Sequence, residues 1–90
     1  MIDEKFHLKV SSREGIVYEG EVIAITSYND VGKFDVLAKH ANFISLIFRG
    51  IYITEKYGIP EKEIIFNNAL VKVKDNIAEV YIGVEGMMPI

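Results

Sequence analysis

The sequence contains no cysteine. Disulfides, thiolate zinc sites, iron–sulfur clusters and a thiol nucleophile are therefore excluded, and the composition fits a reducing compartment. Histidine is scarce: His7 and His40 fall on different expected elements and cannot alone supply the three or four ligands of a metal site. There is no excess of positive charge, since ten Lys and Arg face thirteen Asp and Glu for a net charge of -3. Bulk attraction to a polyanion is thus missing, and nucleic acid is not an expected partner. No apolar run approaches the roughly 18 residues of a membrane span. The opening Met1-Ile2-Asp3-Glu4-Lys5 lacks the basic and apolar regions of a signal peptide. The expectation is a soluble cytosolic chain without membrane insertion.

Half of the 90 residues are apolar, enough for one core and too few residues for two. Their period is two almost throughout, as in Phe6, Leu8 and Val10 alternating with His7, Lys9 and Ser11, which marks a half-buried strand. Ser12-Arg13-Glu14-Gly15 reads as a turn, and a strand run follows over residues 16–28. Its apolar residues change phase between Val22 and Ile23, which places a bulge near Gly20. Asn29-Asp30-Val31-Gly32 is a loop, 33–37 a strand and Lys39-His40-Ala41-Asn42 a second loop. Residues 43–48 are apolar at both parities, as expected of a strand covered on both faces at the centre of the core. Arg49-Gly50 reads as a turn into a strand over 51–57, broken by Gly58-Ile59-Pro60. Strands over 61–66 and 69–74 flank Asn67-Asn68, and a frayed tail begins near Gly83.

The turn Asp75-Asn76 is a two-residue hairpin signal. It sets Lys74 opposite Ile77, Val73 opposite Ala78, Lys72 opposite Glu79 and Val71 opposite Val80, a register that keeps apolar residues on one face. The whole predicts an all-β domain over residues 1–90, a small sandwich of about eight to ten short antiparallel strands. Phe34, Phe43, Leu46, Ile47, Val71, Val73 and Val80 are its expected core.

Catalytic chemistry is hard to place. Glu19 and Glu21 flank Gly20 as a solvated edge rather than an acid/base pair, and Ser11, Ser12 and Ser45 lack the context of a nucleophile elbow. Asn29-Asp30-Val31-Gly32 has one carboxylate and is no calcium loop. No phosphate loop or dinucleotide fingerprint occurs. Tyr52, Tyr57, Phe66 and Tyr81 fit core or cross-strand pairs better than base stacking in an acidic chain. No enzyme activity, cofactor or metal is expected.

Phe34-Asp35-Val36-Leu37-Ala38-Lys39-His40-Ala41-Asn42-Phe43-Ile44 resembles the hallmark of the epsilon subunit family of rotary F-type ATP synthases, Gly-x-Phe/Leu-Gly-Val-Leu-Pro-Gly-His-Ala-Pro-Leu. Phe6 to Val10, Val17 to Val22 and Phe66 to Val73 extend the likeness across about residues 5–82. The resemblance implies a β-sandwich at the foot of the central stalk, peripheral on the cytoplasmic face of an energy-transducing membrane. It implies packing on the gamma subunit through Ser12, His40, Asn42, Phe43 and Ser45, and contact with the polar loops of the c-ring through Asn29, Asp30, Val31, Gly32 and Lys33. The family's C-terminal helical hairpin, which carries inhibition and nucleotide sensing, has no counterpart here, so tight ATP binding is not expected. Asp35 replaces a glycine of the family pattern, Ala38-Lys39 its Pro-Gly, Asn42 a proline and Asn67-Asn68-Ala69 its Ser-Gly-Gly, and Lys33 stands where an acid is frequent. A free-standing epsilon-like adaptor with another protein partner is the alternative.

Overall fold

The computed structural model describes residues 4–83. The alternation in 6–12 builds strand β1 (Phe6–Ser12), with Phe6, Leu8 and Val10 buried and His7 and Lys9 half-buried on the other face. Strands β2 (Gly15–Val22), β3 (Ala24–Tyr28), β4 (Lys33–Leu37), β5 (Phe43–Thr54), β6 (Lys62–Ile64), β7 (Asn68–Lys74) and β8 (Ile77–Ile82) follow. They form one hydrogen-bonded sheet in the order β2-β1-β8-β7-β5-β3-β4, with β6 also on β5.

That sheet becomes a sandwich because β5 serves two layers. Its residues 43–48 pair with β7, while 51–53 pair with β6 and 52–54 with β3. Arg49 and Gly50, at φ 73° and 123°, kink the strand between the two halves. The buried Ser27 hydroxyl donates to the Gly50 carbonyl at 2.8 Å and holds the kink. A side chain at Gly50 would meet the Ile64 carbonyl oxygen at 2.4 Å, so only glycine lets β6 approach. Arg49-Gly50 is thus a bend inside one 12-residue strand and not the expected turn. The two readings share the same positive-φ chemistry; what differs is that the ladder continues on both sides.

Other expectations are corrected with equal definition. The phase change between Val22 and Ile23 is a corner rather than a bulge at Gly20. The chain leaves edge strand β2, Ile23 N–H donates to the Thr54 carbonyl at 2.8 Å, and Val22 and Ile23 are both buried as β3 enters the second layer. The bulge lies at Val17, which has no partner where Val10 faces Tyr18 and Ser11 faces Ile16. One strand pair, β1 with β8, is parallel, so the sandwich is not wholly antiparallel. Residues 43–48 are covered on one face only: Ile47 is fully buried, but Ile44, Leu46 and Phe48 are 65%, 46% and 38% exposed. Leu46 is therefore not a core residue. Of the remaining expected core, Val71, Val73 and Val80 are buried, while Phe34 and Phe43 are half-buried against the cluster. The strand expected over 61–66 shortens to β6, and the one over 51–57 ends at Thr54.

The β7–β8 hairpin has the register that its turn dictates, Lys74 opposite Ile77 through Val71 opposite Val80, with Asp75 and Asn76 at φ 51° and 65°. The expected tail beyond Gly83 lies outside the described residues.

Candidate interaction surface

The segment between β4 and β5 is held from three sides. Lys39 takes φ 62°, a conformation costly for a side-chain-bearing residue, and its N–H donates to Asn76 Oδ1 at 2.6 Å. Asn76 Nδ2 donates in turn to the Lys5 carbonyl at 3.0 Å. Asn42 Oδ1 accepts from Asp75 N–H at 3.0 Å, and Lys39 Nζ lies 3.3 Å from Glu4. The β7–β8 turn therefore latches this loop to the start of β1. Within it, His40 Nδ1–H donates to the Ala41 carbonyl at 2.8 Å, and the His40 ring leans on Phe43 at 4.9 Å between centroids. Phe43 also meets Phe34 edge to face at 5.9 Å, which carries the loop's position into the core.

Three departures from the family pattern find partners here. Lys39 adopts the positive φ of a glycine, Asn42 caps the hairpin turn, and Asp35 accepts a hydrogen bond from Thr26 across the β3–β4 pair. Each replacement is thus accommodated by a local bond.

Asn29, Asp30, Val31 and Gly32 form the turn of the β3–β4 hairpin, and Lys33 opens β4 opposite Tyr28. Asn29 Oδ1 accepts from the N–H groups of Val31 and Gly32 at 2.9 and 3.1 Å, and the Asn29 and Gly32 backbones exchange two further bonds. A rigid turn results, with Val31 92% exposed at its tip and Lys33 beside it. This turn and His40 lie at opposite ends of β4.

The structure brings His40, Asn42, Phe43 and Ser45 together along the start of β5. Ser12 is elsewhere. Phe43 aligns with Val73, Ala78 and Leu8, so Ser12 lies four residues further on and three strands across, on the order of 20 Å away. Its hydroxyl donates to Glu14 Oε2 at 2.9 Å and accepts from Glu14 N–H at 3.2 Å, closing the β1–β2 turn.

Sequence reasoning missed the outward apolar row Ile44, Leu46 and Phe48. Leu46 pairs with Leu70, and Leu70 with Tyr81, both on that same outer face. The hairpin register already placed Leu70 and Tyr81 opposite in phase to the buried Val71 and Val80, and that was the available signal.

Two charged groups remain. His7 contacts Glu21 through Nδ1 at 2.7 Å and Glu19 through Nε2 at 2.8 Å. Carboxylates only accept, so both bonds together are made by the protonated ring, and the bond to Glu19, then that to Glu21, raises the His7 pKa above its ordinary value. Tyr18 donates its hydroxyl to Glu55, which Lys62 also approaches at 3.4 Å. This clasp joins β2 of one layer to β6 and the residue after β5 in the other; desolvation raises the Tyr18 pKa, and the tyrosine bond lowers that of Glu55. Among the described residues, no group of three His, Cys, Asp or Glu could hold a metal ion.

The family described as ATP synthase, Delta/Epsilon chain, beta-sandwich domain matches residues 5–84. The ATP synthase epsilon chain of Sulfurimonas denitrificans is 30% identical over 86 residues, covering 96% of this chain and 65% of the relative. That of a Nitratiruptor species is 32% identical over 83 residues, covering 92% and 63%. The chain thus spans less than two thirds of the length of these relatives. In three dimensions it resembles a chain of the Euglena gracilis mitochondrial ATP synthase, resolved with OSCP, F1 and c-ring, at TM-score 0.79 and 16% identity, covering 91% of this chain and 52% of that one. A chain of the Tetrahymena thermophila mitochondrial ATP synthase central stalk and c-ring matches at TM-score 0.70 and 13% identity, covering 91% and 66%. At these identities the structural likeness concerns the fold. The match of the family across residues 5–84, on a sandwich whose hallmark segment forms the latched β4–β5 loop, makes this chain a member of the ATP synthase delta/epsilon β-sandwich family.

Proposed function

We propose that the chain is the sandwich part of a non-catalytic central-stalk subunit of a rotary F-type ATP synthase, peripheral on the cytoplasmic face of an energy-transducing membrane. In this role it packs on the gamma subunit and touches the polar loops of the c-ring, coupling proton flow to ATP synthesis. The observation that carries the reading is the family match over residues 5–84, nearly the whole chain.

The local geometry supports the division of labour. The latched loop offers gamma a preformed surface at His40, Asn42, Phe43 and Ser45, which limits the ordering cost of binding. Ser12 lies apart from it and contacts gamma only if the interface extends across the sheet. The rigid 29–33 turn presents an apolar tip and the Lys33 cation, suited to a ring loop that contributes a carboxylate. Tight ATP binding is not part of the proposed role.

The test is recovery of a tagged chain from detergent-solubilised membranes of its source organism. Gamma and the c-ring should co-purify, and Lys33→Glu should weaken retention of the ring as salt is raised. A folded chain recovered without synthase subunits would overturn the stalk role and leave the free-standing adaptor.

A further inference from the structure

Strand β2 contributes little to the core. As an edge strand it has β1 on one side only. Ile16 and Val17 are 58% and 50% exposed, Gly20 brings no side chain, and Val22 at the far end is the one residue of the strand that is fully buried. A strand so sparsely packed opens at a small cost unless polar contacts hold it.

Contacts of that kind grip β2 on both faces. On the inner face Tyr18 donates to Glu55. On the outer face the half-exposed His7 is held between Glu21 at Nδ1 and Glu19 at Nε2. The ladder brings these three together. His7 N–H donates to the Asn76 carbonyl, on the side of β8, so Leu8 and Val10 direct their backbone groups toward β2. Leu8 with Gly20 and Val10 with Tyr18 are therefore the hydrogen-bonded pairs. His7 with Glu21 and Lys9 with Glu19 are the intervening pairs, in which side chains stand closest. The other groups around the ring are few. Lys5 and Lys9 lie two residues away on β1, β8 sets Ile77 opposite His7 and Glu79 opposite Lys9, and Lys74 stands beyond Ile77. Lys9 is shared between Glu19 and Glu79, whereas Glu21 has His7 itself opposite.

We propose that β2 is a releasable edge strand and that the proton on His7 latches it. The charged ring donates one N–H to each carboxylate. When the ring gives a proton to water, one N–H is left, and the carboxylate at the other nitrogen meets a lone pair and withdraws. β2 then keeps its ladder bonds and the Tyr18 clasp, loses one of its two outer ties, and opens more often. The bonds to Glu19 and Glu21 raise the pKa of the ring, so the latch is complete below the unfolded value of 6.5 and is lost as pH rises through the folded value. The Tyr18 pKa is raised and that of Glu55 lowered, so the inner clasp keeps its charge state through the same range. The proposal does not rest on the stalk reading.

Native-state hydrogen exchange in low urea tests it. The Tyr18 and Gly20 amides, which bond to Val10 and Leu8, should open more readily than those of β7 and with little dependence on urea, the mark of a local opening. Between roughly pH 6 and 9, after correction for intrinsic exchange, that opening should become about two- to fivefold more frequent, the effect of an exposed ion pair. His7→Gln should hold it at the higher frequency at every pH, and His7→Lys, which stays charged, at the lower one. Tyr18 and Gly20 amides that exchange only together with β7, at the same urea dependence, would overturn the proposal. So would an opening indifferent to pH in the wild type, or a pH dependence that survives His7→Gln and so belongs to another group.

Discussion

Gly50→Ala should be among the most damaging single-methyl changes in this domain. The added Cβ would lie 2.4 Å from the Ile64 carbonyl oxygen and 3.0 Å from Ile65 Cα, backbone atoms that no rotamer change can remove. Its φ of 123° adds a backbone cost of about 1–3 kcal/mol for a residue bearing a side chain. Relieving the clash also requires β6 to separate from β5, and the total is about 3 kcal/mol or more. A 90-residue domain has roughly 5–13 kcal/mol in all. At about 4–8 °C per kcal/mol, the melting temperature should fall by about 12–24 °C. Gly58→Ala is the control, since φ is 84° but a Cβ there meets nothing within 4 Å. It carries the backbone cost alone, about 1 kcal/mol. Thermal melts in which Gly50→Ala follows Gly58→Ala or wild type would refute the kinked-strand account of the sandwich.

Ile47→Ala, at a fully buried site, should cost about 2–5 kcal/mol in urea denaturation, whereas its neighbour Leu46→Ala should cost about 1 kcal/mol or less. Asn42→Ala removes the acceptor for Asp75 N–H and should lower stability by about 0.5–1.5 kcal/mol, with faster hydrogen exchange at that amide. His7 has a raised pKa in the fold, so its stabilising contribution is full below its unfolded value near 6.5 and is lost as pH rises through the folded value. Urea midpoints taken between roughly pH 5 and 9 should show this loss in the wild type and not in His7→Gln.

What could be read from residues alone was whatever local chemistry determines by itself. Alternation gave β1, and Asp75-Asn76 set the hairpin register through backbone geometry that depends on no distant contact. Readings failed where one pattern serves two purposes. An apolar run at both parities describes a strand buried on both faces equally well as one with a core face and an exposed apolar face; residues 43–48 are the second kind. Positive φ at Arg49-Gly50 serves a turn or a kink, and only the position of Ser27 and β6 decides between them. Ser12 stood with His40 and Phe43 by resemblance, but the parallel β1–β8 pair sets it at the other end of the layer. The latch through Asn42 and Asn76 was not legible at all, since both bridge elements far apart in sequence.

Titration of this chain with the gamma subunit of the same organism, followed calorimetrically, tests the central claim most directly. The account predicts a one-to-one complex of micromolar or tighter affinity. Ser45→Arg, which sets a charge at the centre of the patch, should weaken it at least tenfold, about 1.4 kcal/mol. Absence of binding at these concentrations by a chain whose melt shows it folded, or binding indifferent to Ser45→Arg, would contradict it.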